Sequence, residues 1–149
     1  MKWKDIDHQK CSVARTLSVI GDRWSLLVLR DCFLGFRRFE QFQERLGVTR
    51  QVLSDRLRRL AEHGILSREP YQDRPPRHEY RLTAKGRDLY PVLLSLLAWG
   101  DKHMADASGP PLELYDRNTG RRVHPQVTVA EDARPIRWGE IVAKRRGEG

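Results

Sequence analysis

Apolar residues fall at helical spacing in the middle of the chain and at alternating spacing directly after it. Between Arg38 and Leu46, Phe39, Phe42 and Leu46 stand at i, i+3 and i+7, which predicts a short amphipathic helix ended by Gly47. Val48 then plugs a tight turn, and Thr49 offers a hydroxyl to cap a second helix that runs to about His63 and closes at Gly64. Leu53, Leu57 and Leu60 share the inner face of that helix, which leaves Arg50, Gln51, Ser54, Asp55 and Arg58 outside. Leu66 to Tyr71 and His78 to Leu82 alternate as antiparallel strands, and the segment Gln72-Asp73-Arg74-Pro75-Pro76-Arg77 between them cannot be helix. Helix, turn, helix, strand, loop and strand in this order predict a winged helix-turn-helix.

The flanking segments fit that frame. A helix is expected over Ser12 to Ile20, with Val13, Leu17 and Ile20 inward and Gly21 at its end; Asp22 then caps a more buried helix from Trp24 to Phe33, terminated by Gly35. After the wing, Thr83 can cap a long helix from Ala84 to about Ala105, bent at Pro91. Leu89, Tyr90, Val92, Leu93, Leu94, Leu96, Leu97 and Trp99 cover most of its circumference, more than one packing face can hide. A second copy of the chain is the simplest cover, so Leu93, Leu96, Leu97 and Trp99 are the expected homodimer interface; burial under the C-terminal tail is the alternative. From Ser108-Gly109-Pro110-Pro111 the composition shifts to turns, and Leu112 to Tyr115 and Val123 to Val129 flank a hairpin turn at Asp116 to Gly120. Ala143 to Gly149 are expected to fray. The fold expected is mainly α with a small β-wing, a DNA-binding and dimerisation domain over 1–107 and a β-hairpin-like extension over 108–149.

The outer face of the second helix carries the candidate chemistry. Thr49, Arg50, Gln51, Ser54, Asp55 and Arg58 supply the donors and acceptors that base edges in a major groove require, although a surface helix with a solvated charged face would look the same. Two prolines stiffen the loop that bears Arg74 and Arg77, which makes these side chains candidates for phosphate or minor-groove contacts; a plain solvated hairpin tip is the alternative. In 149 residues the formal charge is +8, which favours a polyanionic partner such as double-stranded DNA. No apolar run approaches a bilayer span and Met1-Lys2-Trp3-Lys4 leads into acidic residues rather than a signal pattern, so a cytoplasmic address and no membrane partner are expected.

Further motifs add a resemblance. Cys11-Ser12-Val13-Ala14-Arg15-Thr16-Leu17, Ile20-Gly21-Asp22-Arg23-Trp24-Ser25-Leu26-Leu27 and Gly35-Phe36-Arg37-Arg38-Phe39 are followed by Leu53-Ser54-Asp55-Arg56-Leu57 with Leu60 and Gly64. Pro75-Pro76, Glu79-Tyr80-Arg81-Leu82-Thr83, Gly86 and Leu96 to Gly100 with Trp99 complete the set. Over about Cys11 to Gly100 the chain resembles the HxlR-type winged helix-turn-helix regulators, similar in fold to the MarR type. The resemblance implies a dimeric transcription factor that binds promoter operators, often under the control of a chemical stress or small molecule. Arg37 and Arg38 match positions where that family carries basic residues able to touch the DNA backbone.

Cys11 matches a cysteine that some members use to sense electrophiles or oxidants. A thiol at a helix N-terminus, beside Lys10 and with Arg15 one turn on, is biased toward thiolate, although a packing role is also open. Cys32 lies in an apolar run and reads as a small buried hydrophobe. A metal site built from Asp7, His8, Cys11 and His103 lacks clear third and fourth ligands, and no metal or cofactor is expected. With no Gly-rich phosphate loop, H-E-x-x-H or G-x-S-x-G, an enzyme is not expected either. A winged fold used only for protein contacts stays open.

Overall fold

The computed structural model of the protein describes residues 3–144 and 146. The chain divides into two compact units between Leu93 and Leu94. The first opens with a 3-10 segment, Trp3–His8, followed by α1 (Ser12–Ile20), α2 (Arg23–Phe33), α3 (Phe39–Leu46) and α4 (Arg50–Glu62). Strands β1 (Leu66–Gln72) and β2 (Arg77–Leu82) then form an antiparallel wing, and α5 (Ala84–Arg87) and α6 (Tyr90–Met104) follow. The architecture is mainly α with a small β-wing, the winged helix expected from the sequence.

Local chemistry sets the helix boundaries. The Asp22 carboxylate accepts from the Trp24 and Ser25 N–H groups at 3.1 and 3.0 Å and so starts α2. Gly47 and Gly64 end α3 and α4 with φ of 64° and 70°, the left-handed region where a Cβ is costly. Thr49 Oγ1 caps α4 by accepting from the Val52 N–H at 3.3 Å. Phe42, Leu53, Leu57 and Leu60 are fully buried against Val28 and Leu29 of α2, with Val48 plugging the turn. Burial of each such leucine contributes about 1.5–3 kcal/mol, so the inner face of α4 is fixed and its outer face is thereby defined.

Helix α1 departs from expectation. Exposure climbs from 3% at Ile20 to 39% at Leu17 and 68% at Val13, so neither Leu17 nor Val13 faces the core. All three share one helix face, but Val13 stands about 10 Å up the axis from Ile20, and only the last turn of α1 reaches α4. There the Arg59 guanidinium donates to the Ser18 carbonyl at 3.4 Å.

The long helix expected over 84–105 is instead two helices, α5 and α6, separated at Asp88 and Leu89. Pro91 lies in the first turn of α6, where N–H groups have no helical partner, so the proline starts a helix rather than bending one. Thr83 caps α5, accepting from the Gly86 N–H at 3.0 Å. A Cβ on buried Gly86 would meet the Ile65 carbonyl oxygen at 2.2 Å, which shows how closely α5 presses on the start of the wing.

In the second unit, the Asp116–Gly120 turn forms as expected: Asp116 accepts from the Asn118 N–H and the Thr119 hydroxyl, and Tyr115 bridges Arg122. The expected limb Val123 to Val129 does not stay with that hairpin. Val123 N–H reaches Leu114 O, but the Val129 N–H donates to Arg134 O at 2.8 Å and Val127 O accepts from the Ile136 N–H at 3.0 Å. A second turn, around Glu131 and Ala133 at positive φ, redirects the chain, and the sequence reading missed it. Of the segment expected to fray, residues 145 and 147–149 lie outside the described residues. Among the described residues, no helix is long and apolar enough to cross a membrane.

Candidate nucleic-acid interface

Helix α4 presents its outer face in two chemically distinct halves. At the N-terminal half, Gln51 and Ser54 are exposed and their side chains have no hydrogen-bond partner among the described residues. Arg50 reaches the Gln43 amide oxygen at 3.4 Å and lies 4.7 Å over the Phe39 ring, a loose tether on the exposed side. Thr49 is held by its capping role. The C-terminal half is internally neutralised: Arg58 pairs with Asp55 and with Glu62, while Asp55 also takes Arg56 Nη1 at 2.6 Å. Asp55 and Arg58 thus hold each other, and Arg50, Gln51 and Ser54 are the open donors and acceptors of the expected set.

The residues before α3 join the wing. Tyr80 N–H donates to Arg37 O at 2.7 Å and Arg38 bridges Glu79, so this segment runs beside β2 like a one-residue third strand. The Gln41 side-chain oxygen accepts from the Arg37 and Arg38 N–H groups at 3.1 and 3.0 Å and fixes the turn into α3. A bulge between Pro70 and Gln72 turns Tyr71, and the Arg38 guanidinium sits 4.3 Å over its ring. Arg74 and Arg77 are exposed at the wing tip.

Between α4 and the wing lies a polar cleft of about 230 Å³, lined by Phe39, Glu40, Arg50, Arg68, Tyr71, Pro76, Arg77, His78 and Tyr80. It brings Arg50 and Arg77 together and adds Arg68, whose Nη2 is 3.2 Å from His78 Nδ1. The sequence reading missed Arg68 and His78. Their signal was an exposed basic residue on a wing strand, which strand alternation alone cannot separate from a solvated face. Arg81 is committed elsewhere, to Glu69 at 3.0 Å and Glu79 at 2.6 Å.

Two carboxylates anchor this surface from behind. Burial pushes the Asp22 carboxyl up, but hydrogen bonds from the Ser25 hydroxyl and N–H and from Arg56 outweigh it and hold the group below the usual carboxylate range. Arg56 Nε reaches Asp22 at 2.9 Å, so the cap of α2 also grips α4. Asp31, fully buried, accepts from Arg30 Nε at 2.9 Å and Arg45 Nη2 at 3.2 Å, tying α2 to α3. Its second oxygen lies 3.1 Å from Arg45 Nε, out of hydrogen-bond alignment.

The remaining predicted positions are more dispersed. Cys11 is exposed at the N-cap of α1, with its side chain making no cap hydrogen bond, and Arg15 Nε is turned to the Gln9 carbonyl at 2.9 Å. Cys32 packs against the core; burial first and the Asp31 charge second push its thiol up to about 12. Leu93 packs on the core of its unit and Leu97 is half-buried, whereas Leu96 is 51% and Trp99 60% exposed. Asp7 lies 3.6 Å from His8, and no group of three or more His, Cys, Asp or Glu among the described residues is placed to hold a metal.

An open-faced second helix beside an arginine-bearing wing defines a winged helix-turn-helix protein of the DNA-binding class. The HxlR-like helix-turn-helix family matches residues 19–108, and the chain belongs to that family of transcriptional regulators rather than to any enzyme class. An uncharacterized HTH-type transcriptional regulator of Mycobacterium tuberculosis (strain ATCC 25618 / H37Rv) is 46% identical over 129 residues, 85% of this chain and 82% of that protein. The solved structure of PA1607, which bears the name of a transcription factor, is 38% identical with a TM-score of 0.83 and covers 93% of this chain and 97% of its own. Coverage that wide takes in part of the C-terminal extension. HypR, a redox regulator solved in its reduced form, is 36% identical with a TM-score of 0.58, covering 62% of this chain and 92% of its own.

Proposed function

We propose that the protein is a homodimeric, sequence-specific regulator that reads a near-palindromic operator, with residues 49–63 in the major groove and the wing 66–82 over neighbouring phosphates. The observation that carries this reading is the open N-terminal half of α4: Arg50, Gln51 and Ser54 are exposed beside a cleft that also holds Arg68 and Arg77. Arginine suits guanine O6 and N7, glutamine suits adenine, and serine accepts either, so the trio can discriminate bases. Arg37, Arg38, Arg74 and Arg77 serve the phosphates, which fix register without reading sequence. Exposed Leu96 and Trp99 on α6 support self-association, and a two-fold pair of α4 helices would read half-sites about one helical turn apart.

The test is a salt titration of binding to duplex fragments selected from the source genome. A steep loss of affinity with salt is expected, and Arg74→Ala with Arg77→Ala should flatten the slope by up to about 2 units. Binding without salt dependence would favour a protein-interaction module instead.

A thiol response at Cys11 is a second element of the proposal, supported by the exposure of that thiol on α1 and by the likeness to a redox regulator. Operator binding by wild type should change after diamide or quinone treatment and that of Cys11→Ser should not. Equal responses of the two proteins would assign Cys11 to packing and move the effector elsewhere.

A further inference from the structure

The two faces of the wing differ in charge balance. Register pairs Arg68 with Tyr80 and Pro70 with His78, so these four residues share one face, while Ser67, Glu69, Glu79 and Arg81 share the other. On the second face Arg81 answers both carboxylates. The first face lines the cleft toward α4, and there the wing supplies Arg68, Arg77 and His78 but no acid. Neither Arg68 nor Arg77 is ion-paired among the described residues, Arg81 having taken both wing glutamates. From the other walls, α4 contributes Arg50 and α3 contributes Glu40, the single carboxylate of the lining; Tyr71 and Tyr80 are its remaining titratable groups.

His78 and Arg68 face each other directly. Arg68 Nη2 lies 3.2 Å from His78 Nδ1, which as a neutral imidazole nitrogen accepts from the guanidinium. A proton on Nδ1 ends that hydrogen bond and turns both side chains into donors, and an anion between them then accepts from both. The cleft opens to solvent, which suits one phosphate of an extended backbone rather than an enclosed molecule.

We propose that the cleft seats one phosphate of the DNA backbone on Arg68 and Arg77, and that His78 takes up a proton from solvent as the phosphate docks. The proposal rests on the DNA-binding reading above and adds Arg68 and His78 to the contact surface. It has a signature that a solvated wing face lacks: by linkage, affinity for any duplex falls as pH rises through the range in which imidazole titrates.

The experiment uses the full chain with a short random-sequence duplex at low salt, read by calorimetry in two buffers of different ionisation enthalpy. Wild type should take up protons on binding, and His78→Gln should take up fewer, by up to about one per protomer. Affinity of wild type should fall by about fivefold between about pH 6 and about pH 8; His78→Gln should flatten that profile, and His78→Lys should bind tightly at both ends of it. Arg68→Gln, with thermal melting as a check on folding, should weaken binding throughout and lower the salt slope by about 1 unit. Inorganic phosphate should compete no better than its ionic strength predicts. Equal proton uptake and equal pH profiles in wild type and His78→Gln overturn the role of His78. Selective displacement of duplex by inorganic phosphate, lost in Arg68→Gln, assigns the cleft to a free anion and overturns the proposal. Absence of duplex binding sinks the DNA-binding reading and this site with it, whereas salt-dependent binding that Arg68→Gln leaves unchanged sinks the site alone.

Discussion

The carboxylate of Asp22 holds the first turn of α2 and, through Arg56, the middle of α4. Because hydrogen bonding depresses its folded pKa, the group stabilises the fold at pH values above its unfolded value, and that contribution is lost as pH falls through the folded value. Asp22→Asn keeps an acceptor for the cap but gives up the charge that holds Arg56, so it should lower stability by about 1 kcal/mol and flatten the acid limb of a stability profile below about pH 4, measured by chemical denaturation across pH. The capping role was legible, since Asp after Gly at the start of an apolar run is a helix start signal. The grip on Arg56 was not, because the two residues are 34 positions apart and only the tertiary fold joins them. The cysteines follow the same rule of context. With its thiol pushed up to about 12, Cys32 stays protonated at neutral pH, so in an iodoacetamide time course read by mass spectrometry Cys11 should label first and Cys32 should stay nearly silent.

At the scale of elements, α4 was readable to within one residue at its start because its leucines, Thr49 cap and Gly64 stop all agree. What the pattern of outer residues could not show was the pairing among them. Asp55 and Arg58 stand a turn apart and satisfy each other, with Glu62 and Arg56 on either side. Asp55→Asn should therefore leave Arg58 paired with Glu62 alone and remove a negative charge from the face proposed to meet DNA. The expected outcome is tighter binding, with a salt slope steeper by about 1 unit, read by fluorescence anisotropy. Helices α1 and α5 were less legible for opposite reasons. The apolar face of α1 is real, but only its last turn meets the core, which periodicity does not reveal. Pro91 was recognised as a break, yet whether a proline bends one helix or begins another depends on where the preceding turn ends.

At the scale of the whole molecule, the family and the winged fold were written in several short motifs at fixed spacing, whereas the second turn of the extension and the wing cleft depend on which strand residues meet. The exposed Leu96 and Trp99 carry the expectation of self-association. Leu96→Glu with Trp99→Glu should give a folded monomer by sedimentation at micromolar concentration, with a large loss of operator affinity, because one half-site replaces two. Most direct for the central claim, that the open half of α4 reads DNA, is a competition measurement. Operator and random duplex compete for wild type and for Arg50→Ala combined with Ser54→Ala. A loss of about 1–3 kcal/mol of operator preference per lost base contact is predicted, with random-duplex binding less affected; an unchanged operator affinity and preference in the double variant would contradict it.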